Sequence, residues 1–283
     1  MTLDPRLHPY KPDIAAAYLK GKVQAERFVD GELQRICAPL CDLVSDHIDG
    51  SRVSQALYGE DFTVYQRQGD WCWGQLTTDG YVGWVAASAL ASANPQPATH
   101  RVTVSLTRAT PSSIKVLGVG PLPMGALMRV NEADIAVGGS SASFAATDIG
   151  DVPSAHIAPL QALAPDWVSV AELFVGTPYV WGGRSALGLD CSALVQLALQ
   201  QAGISALRDS DMQEGSLGTA LEDGSNLQRG DLVFWPGHVG IMIDGQTLLH
   251  ANAFAMSTTY EALTDVIART GTPSALRRLI KAS

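Results

Sequence analysis

Short apolar runs broken by turn residues fill the chain from residue 32 to about 165, whereas the stretch after Asp190 carries a helical rhythm. ICAPLCDLV, SRVSQALYGEDFTVYQRQGDWCWGQL and DGYVGWVAASAL read as closely spaced strands, a pattern that predicts a small β-barrel over residues 32–92. Residues 91–99, ASANPQPAT, have the small, proline-containing composition of a linker. HRVTVSLTRA, SIKVLGVG, GALMRV and ADIAVGG then predict a second barrel over 99–165. Residues 1–31 form an extension in which 11–30 read as including a short helix. The glycine- and serine-rich stretch 138–143 is expected to be a loop rather than a phosphate cradle, because no helix signal follows it.

From Cys191 onward, Leu194, Val195, Ala198 and Ala202 fall on one helical stripe. Asp190 is a ready N-cap and Gly203 a ready stop. Cys191 therefore opens a helix, where unpaired N–H groups and a partial positive charge favour a thiolate. An inert cysteine buried on a helix face has the same local signature. A nucleophilic thiol needs a base, and of the six histidines (His8, His47, His100, His156, His238 and His250) the last two follow Cys191. They lie among three apolar runs, DLVFW, VGIMI and TLLHA, separated by Pro236-Gly237 and Asp244-Gly245, which predicts a β-meander. A three-residue loop, 243–245, with Gly245 left-handed would pair Met242 with Gln246, Gly240 with Leu248 and His238 with His250. Both rings then share one face. A two-residue Asp-Gly turn would instead pair Val239 with His250 and part the rings. With the wider loop, His238 can hold an ion pair with Cys191 or take its thiol proton, while His250 orients it through the second ring nitrogen.

The length of 283 residues suits about two domains, and 46% hydrophobic residues is an ordinary globular composition. A net charge of −9 argues against a general nucleic-acid or anionic-membrane surface. No run approaches the roughly 18 apolar residues of a membrane helix. The start, MTLDPRLHPYKPDIAAAYLKGKVQ, lacks the pattern of a secretory leader, so a cytoplasmic location is expected, or a periplasmic one if a leader was trimmed. Cys37, Cys41 and Cys72 have neither disulfide-scaffold density nor zinc-pair spacing and are expected to be reduced and structural. Without a glycine-rich phosphate loop or an HExxH motif, no nucleotide, metal or other cofactor is expected.

PYVWGG (from Pro178), LDCSAL (from Leu189), RGDLVFW (from Arg229), GHVGIMI (from Gly237) and LLHA (from Leu248) together resemble the successive motifs of the NlpC-type cell-wall peptidases, papain-like cysteine hydrolases. Five motifs in order over about 80 residues make this resemblance specific; Ala193, where the family usually has glycine, is the departure, and alanine is the better helix residue. DGYVGWV, with Trp71 and Trp73 upstream, resembles a bacterial SH3-like domain. The resemblance implies an α+β chain: an extension over 1–31, SH3-like barrels over 32–92 and 99–165, and a papain-like NlpC-type domain over 166–283.

It further implies Cys191 as nucleophile, His238 as base, His250 as third polar residue, and cleavage of the γ-D-glutamyl to diamino-acid bond of peptidoglycan stem peptides. Two SH3-like domains ahead of an NlpC-type domain resemble a subgroup that takes free peptides with an unblocked N-terminal L-Ala, in murein peptide recycling. There the first SH3-like domain supplies an acid and a tyrosine, for which Glu60 and Tyr81 are the matching positions. The alternative reading is a solvated loop carboxylate for Glu60 and a barrel-packing aromatic for Tyr81. Tyr179, Asp190, Ser192 and Ser210 are the implied cleft residues, with Tyr179 and the Cys191 N–H as oxyanion donors. Trp181 and Arg184 are expected to have packing or surface roles. A papain-like amidase or acyltransferase and a non-catalytic wall-binding module are the competing readings.

Overall fold

The structure is a computed structural model that describes residues 3–93, 96–222 and 224–279; Asn94 and Pro95 of the expected linker, and 280–283 of the expected last domain, lie outside the described residues. The chain divides into two compact units, Met1–Ala162 and Leu163–Ser283.

In the first unit, seven strands form one sheet in the order Arg52–Leu57, Leu40–Val44, Val82–Ala86, Trp71–Leu76, Asp61–Gln68, Glu32–Ile36, Leu90–Ser92. All its pairings are antiparallel. Alternation places Phe62 and Val64 inward with Ile36, Leu43 and Leu76, the pattern of a sheet with one buried face. Residues 11–30 depart from the expected helix: Ile14–Ala16 pairs in parallel with Arg27–Val29 around a 3-10 turn at Ala17–Leu19. The cause is tertiary. Ile14 is fully buried against Trp73 and Trp84, and so short a segment has little helix stability of its own to set against that packing. Lys11, just before Ile14 in the chain, has its Nζ 4.5 and 4.7 Å from the two indole centroids and donates to Gln66 Oε1 at 2.6 Å.

Further along this unit, His100–Val102 lies between Leu127–Met128 and Ile157–Pro159. Leu106–Ala109 pairs with Val119–Pro123, and Val130–Ala136, Ser143–Thr147 and Gly150–Pro153 form a third small sheet. Residues 138–142 connect two strands of that sheet, as expected of a loop. Val102, Ala109, Leu122, Met128 and Val152 make the core here, and Tyr58 of the seven-stranded region packs against it. Gly59 shows how close the two strand-rich regions come: at φ +81 a Cβ there would meet the Leu127 carbonyl oxygen at 2.1 Å.

Among its described residues the second unit holds four helices, α1 (Trp167–Glu172), α2 (Cys191–Gln201), α3 (Ser210–Ser216) and α4 (Leu263–Thr270). Its main sheet has six strands, β1 (Thr219–Ala220), β2 (Asp231–Trp235), β3 (His238–Met242), β4 (Thr247–Asn252), β5 (Ser257–Ala262) and β6 (Ala275–Arg278). The order is β1-β6-β2-β3-β4-β5, antiparallel throughout. Every residue of β2 is buried, so both faces of the sheet centre are covered. Val266 of α4 covers Val233, Trp235, Met242 and Leu248 with its neighbours Leu263 and Ile267. Helix α2 packs on β3 and β4 and against α1. It is buried almost all round, Cys191 through Leu199 and Gln201, rather than on the single stripe expected. A helix enclosed on every side keeps apolar or internally bonded residues on every side; Gln196 accordingly donates to the Ala206 carbonyl at 3.1 Å.

Candidate active site

Asp190 ends an extended segment and caps α2, its Oδ1 accepting from the Ala193 N–H at 2.9 Å. The same carboxylate accepts from the Gly182 N–H (2.9 Å), the Ser192 hydroxyl (3.3 Å) and both Nη atoms of Arg208 (2.9 and 2.7 Å). Gly182 makes its turn at φ +71, which explains glycine in the PYVWGG motif. Arg208, 1% exposed, also donates to Ser192 Oγ (3.0 Å), while Gln213 of α3 donates to the Ser192 carbonyl (2.9 Å). The first turn of α2 is thus held from three sides. Gly203 closes the helix at φ +75, as expected of a glycine stop.

Cys191 stands at the first position of α2, 6% exposed, met by the main-chain N–H groups of Ser192 and Val239. Its pKa is nevertheless pushed up to about 12, first by burial and then by the Asp190 charge, against the pull of Val239, Arg208 and Ser192. Burial here opposes the pull of the helix terminus toward a thiolate. A helix terminus supplies about 0.3–1 kcal/mol, whereas full burial moves an ionisable group by up to roughly 3–5 pK units. Val239 immediately follows His238, so the α2 terminus and the start of β3 adjoin.

The histidine pair forms, but by another register than expected. Ile241 lies opposite Leu249 and Met242 opposite Leu248, which sets Gly240 opposite His250 and His238 opposite Asn252. The rings share a face diagonally rather than directly, with His238 Nε2 and His250 Nδ1 2.9 Å apart and the rings inclined at 62°. The loop spans 244–246 because Asp244 Oδ1 accepts from the Gln246 and Thr247 N–H groups (2.8 and 2.7 Å), and Ile243 N–H then bonds the Thr247 carbonyl. Gly245 is not left-handed. Burial lowers the His238 pKa to about 4, helped by the neighbouring His250 and Arg269. His250, 1% exposed, is likewise lowered by burial, with Glu261 opposing. Burial thus pushes the Cys191 thiol up and both imidazoles down, which favours the uncharged form of each group.

Tyr179 is half-buried on the approach to α2, and its pKa is pushed up to about 12 by burial and by the adjacent Cys191 and Asp190. It stays a hydroxyl donor at any ordinary pH. Ser210 is buried at the first position of α3, one turn before Gln213. Trp181 is 65% exposed, whereas Arg184 is fully buried in the short hairpin with Gly188–Leu189. In the first unit Glu60 is buried, its Oε2 accepting from the Leu57 N–H at 2.7 Å, so it is no solvated loop carboxylate. Tyr81, also buried, lines a cavity of about 470 Å³ with Lys11, His47, Trp73 and Trp84. Cys37, Cys41 and Cys72 are free thiols. Arg208 and Glu261 are the site residues that sequence reading passed over. The arginine in LRDSD carried no motif, and Glu261 reaches His250 only through strand pairing.

Residues 176–271 match the NlpC/P60 family, and residues 44–90 match the bacterial dipeptidyl-peptidase SH3 domain. A relative from Bacillus cereus named gamma-D-glutamyl-L-lysine dipeptidyl-peptidase is 30% identical over 225 residues, 70% of this chain and 66% of that protein. A Bacillus subtilis protein of the same name is 26% identical over 76% of this chain and 77% of its own length. Among solved structures, an NlpC/P60 family protein from Bacillus cereus superposes with a TM-score of 0.71 at 19% identity, over 87% of this chain and 99% of that one, which speaks to the fold alone. Residues 176–271 therefore carry a peptidase domain of the NlpC/P60 family, preceded in the sequence by a bacterial dipeptidyl-peptidase SH3 domain, and the chain is a cysteine peptidase.

Proposed function

We propose that this peptidase hydrolyses the γ-D-glutamyl to diamino-acid bond of peptidoglycan-derived peptides that begin with a free L-Ala. The observation that carries the reading is the His238–His250 pair, with His238 on a strand whose Val239 N–H meets Cys191, together with the dipeptidyl-peptidase name of relatives aligned across most of the chain. A dipeptidyl-peptidase cuts two residues from a free amine. That is the geometry of L-Ala-γ-D-Glu released from its diamino acid.

His238 takes the Cys191 proton as the sulfur attacks the γ-glutamyl carbonyl, so the charged pair arises during attack instead of at rest. The Tyr179 hydroxyl and the Cys191 N–H stabilise the oxyanion. His238 then protonates the leaving amine, and water, deprotonated by His238, releases the acyl group. Asp190, Ser192 and Ser210 line the cleft, and Glu60 and Tyr81 meet the substrate ammonium. The same reading takes 32–92 and 99–165 as SH3-like barrels and 166–283 as papain-like, and sets the activity in cytoplasmic peptide recycling. Cell fractionation checks the last point: activity in secreted material excludes recycling.

Matched peptides test the whole reading. L-Ala-γ-D-Glu-diaminopimelate and its lysine counterpart, each with free and acetylated N-termini, are offered to wild type and Cys191→Ala. Cleavage of the free forms alone, abolished in the variant, is the expected result. Equal cleavage of acetylated forms removes the ammonium role of Glu60 and Tyr81, and cleavage of neither removes the peptidase specificity.

A further inference from the structure

We propose that Glu261 is a positioning residue that sets where the proton sits on the His238–His250 pair, a role that rests on the peptidase reading above. The three side chains form an oblique row across three strands. His238 on β3 and His250 on β4 are diagonal neighbours, and so are His250 and Glu261 on β5, because Glu261 pairs with Leu248. Glu261 Oε2 lies 3.1 Å from His250 Nε2, and His250 Nδ1 lies 2.9 Å from His238 Nε2.

An ionised carboxylate only accepts hydrogen bonds. Arg269 of α4 keeps Glu261 ionised: both its Nη atoms donate to the carboxylate, one at 2.8 Å, and its guanidinium stacks 4.0 Å over the Phe254 ring. The proton of neutral His250 therefore sits on Nε2, its Nδ1 presents a lone pair, and His238 donates to it from Nε2. This leaves His238 Nδ1 unprotonated as the base. Asp265 on α4 also acts on Arg269. Thr259, opposite His250, carries no charge.

Without the carboxylate, His250 is free to carry its proton on Nδ1 and donate to His238 Nε2. His238 would then hold its proton on Nδ1 and could accept none from Cys191. Glu261 has a second effect, since only the His250 ring separates its charge from the imidazolium that forms on His238 during attack.

The test compares Glu261→Leu with Glu261→Gln, whose amide oxygen can still accept from His250. Expected is a fall in kcat of at least about tenfold for Glu261→Leu with KM little changed, and partial recovery in Glu261→Gln. Ring-nitrogen NMR of the Cys191→Ala protein, which needs no turnover, should show the His238 proton on Nε2, moving to Nδ1 when Glu261→Leu is added. A kcat within twofold of wild type in Glu261→Leu, or ring nitrogens that do not respond to the substitution, overturns the proposal. Because the NMR pattern is read without substrate, a wrong substrate assignment leaves this result standing. Arg269→Met, which leaves the carboxylate and His250 in place, should reproduce a weaker form of both effects.

Discussion

Two arginine–carboxylate pairs flank the reactive groups of the second unit, and they differ chiefly in their access to water. Asp190 and Arg208, at the start of α2, are 9% and 1% exposed in their side chains. Glu261 and Arg269, beyond His250, are 19% and 28% exposed. Both are bidentate. In the buried pair each charge depends on the other, because neither can recover hydration if its partner is lost. In the outer pair water can replace a lost partner, so what it contributes is orientation and local charge more than stability. One pair builds the helix end that carries Cys191, and the other sets the histidines that act on it.

The largest expected effect follows from splitting the buried pair. Arg208→Ala should lower unfolding free energy by about 3–5 kcal/mol, seen as a drop in the urea midpoint with an unchanged slope. If the loss stays below about 1 kcal/mol, the pair is not holding α2. Combining Asp190→Asn with Arg208→Met should cost less than the sum of the singles, with a coupling of about 0.5–3 kcal/mol in a double-mutant cycle; strict additivity would mean that the two side chains do not depend on each other.

Next in size is the acid response of the histidines. His238 has its pKa lowered from 6.5 to about 4 in the fold, so between those values the unfolded chain binds a proton that the folded site does not. Stability therefore falls as pH drops through that window, by on the order of 3 kcal/mol from His238. His238→Gln should flatten the slope in pH-dependent urea titrations, and an unaltered slope would place the titration elsewhere. The buried thiol has the opposite window: because its pKa is raised, alkylation of Cys191 by iodoacetamide should keep accelerating up to at least pH 9 without a neutral plateau. A plateau near pH 7 would mean a resting thiolate.

The smallest effect sharpens the contrast from the exposed side. Glu261→Ala should change unfolding free energy by less than about 1 kcal/mol while lowering kcat as argued above. A stability loss matching that of Arg208→Ala would erase the distinction between the pairs.

How far the site was legible in advance follows the range of the interactions involved. The Asp-Cys-Ser step, the N-cap and the glycine stop are decided within a turn of helix, and all three are where local chemistry puts them. The meander of β2, β3 and β4 and the shared face of His238 and His250 were also legible, since side-chain parity depends only on counting along strands. The register was not. Asp244 captured two N–H groups and shifted the loop by one residue, a choice between closely similar turns that no hydrophobic pattern distinguishes. The short helix expected in 11–30 failed because Ile14 found Trp73 and Trp84, partners some 60 residues away.

Arg208 and Glu261 mark the same boundary. Their neighbours in the chain give no sign of the carboxylate or imidazole they meet, because α3 and β5 bring them there. The sequence by itself determined the nucleophile's helix, the strands that carry the histidines and the family to which these motifs belong, through dihedral preference, capping and alternation. Only the tertiary structure decided that burial pushes the thiol pKa up, that the histidines meet diagonally and that two arginines hold the carboxylates beside them. Those outcomes depend on desolvation and on distances between remote segments, and neither exists until the chain has packed.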